Sequence, residues 1–139
     1  MNAPTPPSTE PAPSPEGGGP AGLLLSRDLI FTSKVTGTAG ALGYRVTVAG
    51  NAALAGSVIE EWQPKAVFVD LAAGDLVSPA ALLGYRQLAR PGTRFIAFGS
   101  HVDKAALAAA SEAGCDAVLP RSKFSAELPD LIRQYLGTP

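Results

Sequence analysis

Five short apolar runs alternate with segments of helical spacing from Gly22 onward, and few folds accommodate that rhythm. The runs are GLLLS (22–26), YRVTVA (44–49), AVFVD (66–70), RFIAFG (94–99) and DAVLP (116–120). Each has the length and the β-rich content of a strand. In the first intervening segment Phe31, Val35, Ala39 and Leu42 fall on one helical stripe that Gly43 ends. In the second, Asn51 is placed to cap a helix whose Leu54, Val58 and Trp62 recur every four residues, with Pro64 as the stop. Ser78 and Pro79 make an N-cap and first-turn pair ahead of Leu82 and Tyr85, and Pro91–Gly92 closes that segment. The fourth helix, Asp103 to Ala113, is alanine-rich and ends at Gly114. The last carries Leu128, Leu131, Ile132 and Tyr135, and Pro129 blurs its start. Parallel neighbours need crossover connections, so this alternation predicts an α/β fold with a doubly wound parallel sheet. Right-handed crossovers put helices on both faces, which is why the central strands read as unbroken apolar runs.

Composition divides the chain into two parts. Residues 1–21 hold seven of the thirteen prolines and three consecutive glycines, and they are expected to form a disordered, partly polyproline-like tail. Residues 22–139 are expected to form one domain. In the whole chain 46% of residues are hydrophobic and 17% charged, enough apolar content for one real core. A formal net charge of −1 gives no broad basic field, so neither nucleic acid nor membrane is an expected partner. Cys115 is the only cysteine, which removes internal disulfides and cysteine metal clusters and points to the cytoplasm. No apolar run reaches the ~18 residues of a membrane span.

Asp70 is the residue that raises the question of function. A strand apolar on both faces delivers it at its carboxyl end, the edge at which open α/β sheets place their ligands. The plainer role for such an Asp is to cap the turn that follows. Other motifs carry less. GTAGALG (37–43) has dinucleotide-like glycines, yet it falls late in the first helix rather than at a strand-to-helix turn, so packing and termination are expected of it. Ser100 beside His101 lacks the GxSxG setting of a nucleophile elbow. No GxxxxGK[ST] loop exists, and Cys115 is expected to be a packed small hydrophobe.

Residues 22–136 resemble the receiver domain of bacterial two-component response regulators. Five βα units, an Asp ending the third strand, the segment AGCDAVLP before and through the fifth strand, and a basic residue just after it carry the resemblance. It implies a flavodoxin-like sheet of order 2-1-3-4-5, with Asp70 as the candidate phosphoacceptor from a histidine kinase. Phosphoryl transfer onto a carboxylate brings like charges together and needs Mg²⁺ to neutralise them. The family supplies its ligands from an acidic pair after strand one. That pair falls here on Ser26 and Arg27, leaving Asp28 and Asp70 as a weak candidate Mg²⁺ site, with Asp75 as a further acid. The hydroxyl that the family places at the end of strand four falls on Gly99, with Ser100 beside it. The Lys-Pro pair after strand five is replaced by PRSKF, so Arg121 or Lys123 would supply the charge. No aromatic residue stands in AVLP, where the family keeps its switch aromatic.

The resemblance therefore implies an atypical or degenerate receiver that acts in signal transduction by protein contact, with Asp phosphorylation weak or lost. It is expected not to be an enzyme. A guanidinium at Arg27 or Arg121 would pair with Asp70 and imitate the neutralised state. The alternative is a working phosphoacceptor that takes a phosphoryl group on Asp70 with Mg²⁺. A flavin-binding relative is a third reading, weakened because SRDLIFTS lacks a glycine-containing phosphate cradle. Ending at Pro139, directly after the last helix, the chain is expected to stand alone with no output domain. Partners implied are a histidine kinase or effector, and a homodimer through helix four, strand five and the last helix, a face bearing Lys104, Glu112, Arg133 and Tyr135.

Overall fold

A computed structural model describes residues 20–137. The expected tail falls almost wholly on residues 1–19, outside the described residues. The five strands are β1 (Gly22–Leu25), β2 (Val46–Ala49), β3 (Ala66–Asp70), β4 (Arg94–Gly99) and β5 (Ala117–Pro120). All pair in parallel, in the order β2-β1-β3-β4-β5. This is the flavodoxin-like order that the resemblance implied.

Between the strands run α1 (Leu29–Ala41), α2 (Ala52–Trp62), α3 (Pro79–Leu88) and α4 (Lys104–Glu112), with α5 (Arg121–Ala126) and α6 (Leu128–Leu136) after β5. The caps read from the sequence are made. Asn51 accepts the Leu54 N–H at 2.8 Å, and Ser78 accepts the Ala81 N–H at 3.1 Å ahead of Pro79. Gly43 and Gly114 both have positive φ at helix ends, where a side chain would be strained.

The sheet separates two cores because successive strand residues face opposite sides. Leu23, Leu25, Val67, Val69 and Ala97 pack against α2, α3 and α4. Leu24, Phe68, Ile96 and Phe98 pack against α1, α5 and α6.

Two local expectations differ from the fold, and one element was not foreseen. The buried stripe of α2 is Ala55, Val58 and Ile59, one step round from the expected one, and Leu54 is exposed. The expected last helix is two helices broken at Glu127, because Pro129 fits only the first turn of a helix and so forces a restart. A 3-10 segment, Leu71–Val77, follows β3 and turns at Gly74, whose φ of 64° a side chain would resist.

Candidate functional site

Asp70 is the last residue of β3 and is 1% exposed. A buried carboxylate is tolerable only when donors replace the water it has lost. Three do so. The Ser26 hydroxyl donates to Oδ2 at 2.7 Å, the Ala72 N–H donates to Oδ1 at 3.0 Å, and Nη2 of Arg121 bonds Oδ1 as an ion pair. The bond to Ala72 caps the 3-10 segment, so the plain capping role and the site role coexist in one side chain.

Each donor arrives from a different strand end. Ser26 directly follows β1, whose Leu25 pairs with Val69, so continuing the register sets Ser26 beside Asp70. It is itself buried, 2% exposed, and its Oγ also accepts the Asp28 N–H at 3.2 Å. Arg121 is the first residue of α5, immediately after β5. Its Cζ lies 4.8 Å from the Phe31 ring centroid and 5.2 Å from that of Phe98. Phe98 and Phe124 stack with centroids 4.1 Å apart, and the Phe31 ring lies tilted against both. A planar guanidinium suits this place because one edge meets the carboxylate while its face lies on rings. The Arg121 side chain is 30% exposed, so the pair bridges the buried acid to water.

The remaining expected site residues are held elsewhere. Asp28 caps α1, its Oδ1 accepting the Phe31 N–H at 2.9 Å. Arg27 donates to the Gly50 carbonyl at 3.0 Å and to the Ala73 carbonyl and Asp75, each at 3.1 Å. Of the two arginines weighed for Asp70, the structure therefore brings Arg121. Ser100 is exposed and its Oγ accepts the Val102 N–H at 3.3 Å. Lys123 is exposed on α5. The sequence reading missed Ser26 as a partner of Asp70, treating it only as a lost acid. The predicted strand order was the signal that would have found it, since β1 and β3 are neighbours. The sequence puts Phe31 on a helical stripe and Phe98 in a strand, and nothing in their spacing shows that a cation rests on them.

Two other titratable groups are shifted by burial. It pushes the Cys115 thiol up to about 11, against a lowering from Arg86 and a further raising from Asp116. Burial likewise raises the Tyr85 phenol, whose O–H donates to the Leu76 carbonyl at 2.7 Å.

No family model and no curated protein matches the chain. Solved structures do. The receiver domain of the sensor histidine kinase PA1611 from Pseudomonas aeruginosa PAO1 superposes with a TM-score of 0.71 at 21% identity, covering 87% of this chain and all of the other (100%). The fold is that of a receiver domain. A response regulator from Thermotoga maritima gives a TM-score of 0.70 at 19% identity, covering 86% and 98% of the two chains. The receiver domain of NtrX from Brucella abortus gives 0.71 at 18%, covering 85% and 99%.

The PA1611 receiver is described with a magnesium ion coordinated in its active site cleft. Two consequences follow for the receiver fold here. The expectation that the chain is not an enzyme does not stand, because a neighbour of the same fold has an active site cleft and the fold gives no ground for excluding catalysis. The expectation of Mg²⁺ as a possible ligand agrees with that neighbour, and the donor set of this chain can be tested against it. Mg²⁺ demands near-octahedral oxygen ligands. Both Asp70 oxygens already accept hydrogen bonds, Asp28 is committed to its helix cap, and a guanidinium stands against Asp70. No group of three or more His, Cys, Asp or Glu side chains able to hold a metal occurs among the described residues. As arranged, these residues do not fit the ion.

Proposed function

We propose that the chain is an atypical receiver module that signals by protein contact, held in one state by Arg121 instead of by phosphorylation of Asp70. The observation that carries this reading is the Arg121–Asp70 ion pair with Ser26 as the second partner. An Asp that accepts a phosphoryl group must present a free oxygen lone pair, with a cation positioned to neutralise the incoming charge. Here the cation is covalently part of the chain and already bonded to the acid. Asp70 thus serves as an anchor that joins β3, β1 and α5, while Ser100 and Lys123 stay outside that contact.

Contact with a protein partner, a histidine kinase or an effector, is supported by the apolar side chains around the same rim. Leu29 and Ile30 at the start of α1 and Val102 after β4 stand largely in solvent. Scattered exposed apolar residues are ordinary, but these follow the carboxyl ends of β1 and β4, the two strands that flank β3. The edge strand β5 is only half buried, which supports a homodimer through α4, β5 and α6 as the alternative contact. A cytoplasmic location suits this role and the single, half-buried cysteine. The independent domain is taken as residues 22–139 and the tail as 1–21.

A working phosphoacceptor is the second reading, favoured by the place of Asp70 at the end of β3. Incubation with Mg²⁺ and acetyl phosphate, read by intact mass, separates the two. The proposal expects no phosphoryl adduct, and a stoichiometric adduct mapped to Asp70 supports the second reading and defeats the first.

A further inference from the structure

At the opposite end of the sheet lies a cavity of about 500 Å³, unrelated to Asp70. It opens between the residues entering β3 and β4 and the end of α6, and its walls include Lys65, Arg90, Arg94 and Tyr135. Lys65 immediately precedes β3 and Arg94 opens β4. The Arg94 N–H donates to the Lys65 carbonyl at 3.1 Å, and the Arg90 N–H donates to Oε1 of Gln63 at 2.9 Å, so hydrogen bonds hold the backbone of all three basic residues around one opening.

No carboxylate among the described residues lines this cavity. Glu60 and Glu61 are nearby in sequence, yet neither bridges any of the three cations among the described residues. Asp116, at the amino end of β5, is taken up by Arg86 and by the Phe95 N–H at 2.8 Å. Nζ of Lys65 reaches the Leu136 carbonyl at 3.4 Å, a helix-end contact that accounts for one cation, and neither arginine has an acidic partner among the described residues. In a chain of net charge −1, three like charges around one concavity repel one another unless an anion joins them. Two guanidinium groups and an ammonium provide the forked and the point-charge donors that phosphate oxygens accept. The volume falls within the roughly 300–1,000 Å³ of small-molecule sites.

We propose that this cavity binds a phosphate-bearing small molecule of about nucleotide size, its phosphates on Lys65, Arg90 and Arg94 and its flat apolar part against Tyr135. Lys65 lies about 16 Å along the chain direction of β3 from Asp70, at the usual rise per strand residue, so the site is separate from the arginine-held acid. The test is an amide NMR titration of the full chain with ATP, inorganic pyrophosphate and adenosine as separate probes, in EDTA so that no metal contributes. Saturable shifts at Lys65, Thr93, Arg94 and Gly137 with ATP, weaker ones with pyrophosphate and none with adenosine are expected. The double variant R90Q/R94Q, altered only at exposed side chains, should retain its spectrum and lose at least about tenfold in ATP affinity. The absence of saturable shifts with both ATP and pyrophosphate overturns the proposal. Equal ATP affinity in the variant does so as well.

Discussion

Arg121 meets Asp70 where the acid is buried, whereas Arg27 meets Asp75 at the same rim with side-chain exposures of 49% and 89%. The residue types are identical. The surroundings make them different interactions. In water the Arg27–Asp75 attraction is screened and ordering two mobile side chains offsets most of it, so such pairs contribute ~0–1 kcal/mol. Asp70 has no water to return to, so loss of its cation leaves a buried charge with only neutral donors. An arginine matters here according to what is stranded when it is removed. The buried pair is therefore a fixed structural element and the exposed one a surface ornament.

Truncating Arg121 should produce the largest effect. Breaking a buried pair costs ~3–5 kcal/mol, and the partial exposure of Arg121 puts Arg121→Ala near 3 kcal/mol, measured by urea unfolding. An R121A protein as stable as wild type would erase the distinction between the two pairs. Ser26→Ala comes next, at about 1–2 kcal/mol, since a hydrogen bond to a charged acceptor is lost while two others remain. Asp70→Asn should cost about 1 kcal/mol, well under half of R121A, because the arginine left behind turns to solvent while the acid in R121A has nowhere to turn. Equal losses in the two variants would show that both partners are equally desolvated. Smallest is Asp75→Ala, below about 0.5 kcal/mol and shrinking further in high salt. A salt-independent loss there would place Asp75 in a more enclosed setting than its exposure indicates.

How far the fold was legible depended on which property carried the signal. Alternating strands and helices made the parallel sheet readable, because each run had to be apolar on both faces to sit between two helical layers. The phase of α2 was less determined. Residues four apart drift round a helix by about 40° per step, so Leu54, Val58 and Trp62 span a wide arc, and the sheet meets it at Ala55, Val58 and Ile59. At the site, Asp70 was legible from its place at a strand end. The choice of its cation was not. Arg27 adjoins Ser26 in sequence, yet it turns toward Gly50 after β2, while Arg121 reaches in from across the sheet because the Phe31 and Phe98 rings support it there. That selection rests on packing between segments far apart in the chain, which residue spacing does not encode.

The most direct measurement is a Mg²⁺ titration of wild type and R121A, followed at the Ala72 amide that donates to Asp70. With a guanidinium already in place, the wild-type amide should stay unmoved through millimolar Mg²⁺, and R121A should acquire a saturable shift. R121M serves as the second variant should R121A be too unstable to titrate. A saturable Mg²⁺ response in the wild-type protein, with its midpoint unchanged when Arg121 is removed, would contradict the claim that this arginine occupies the cation's place.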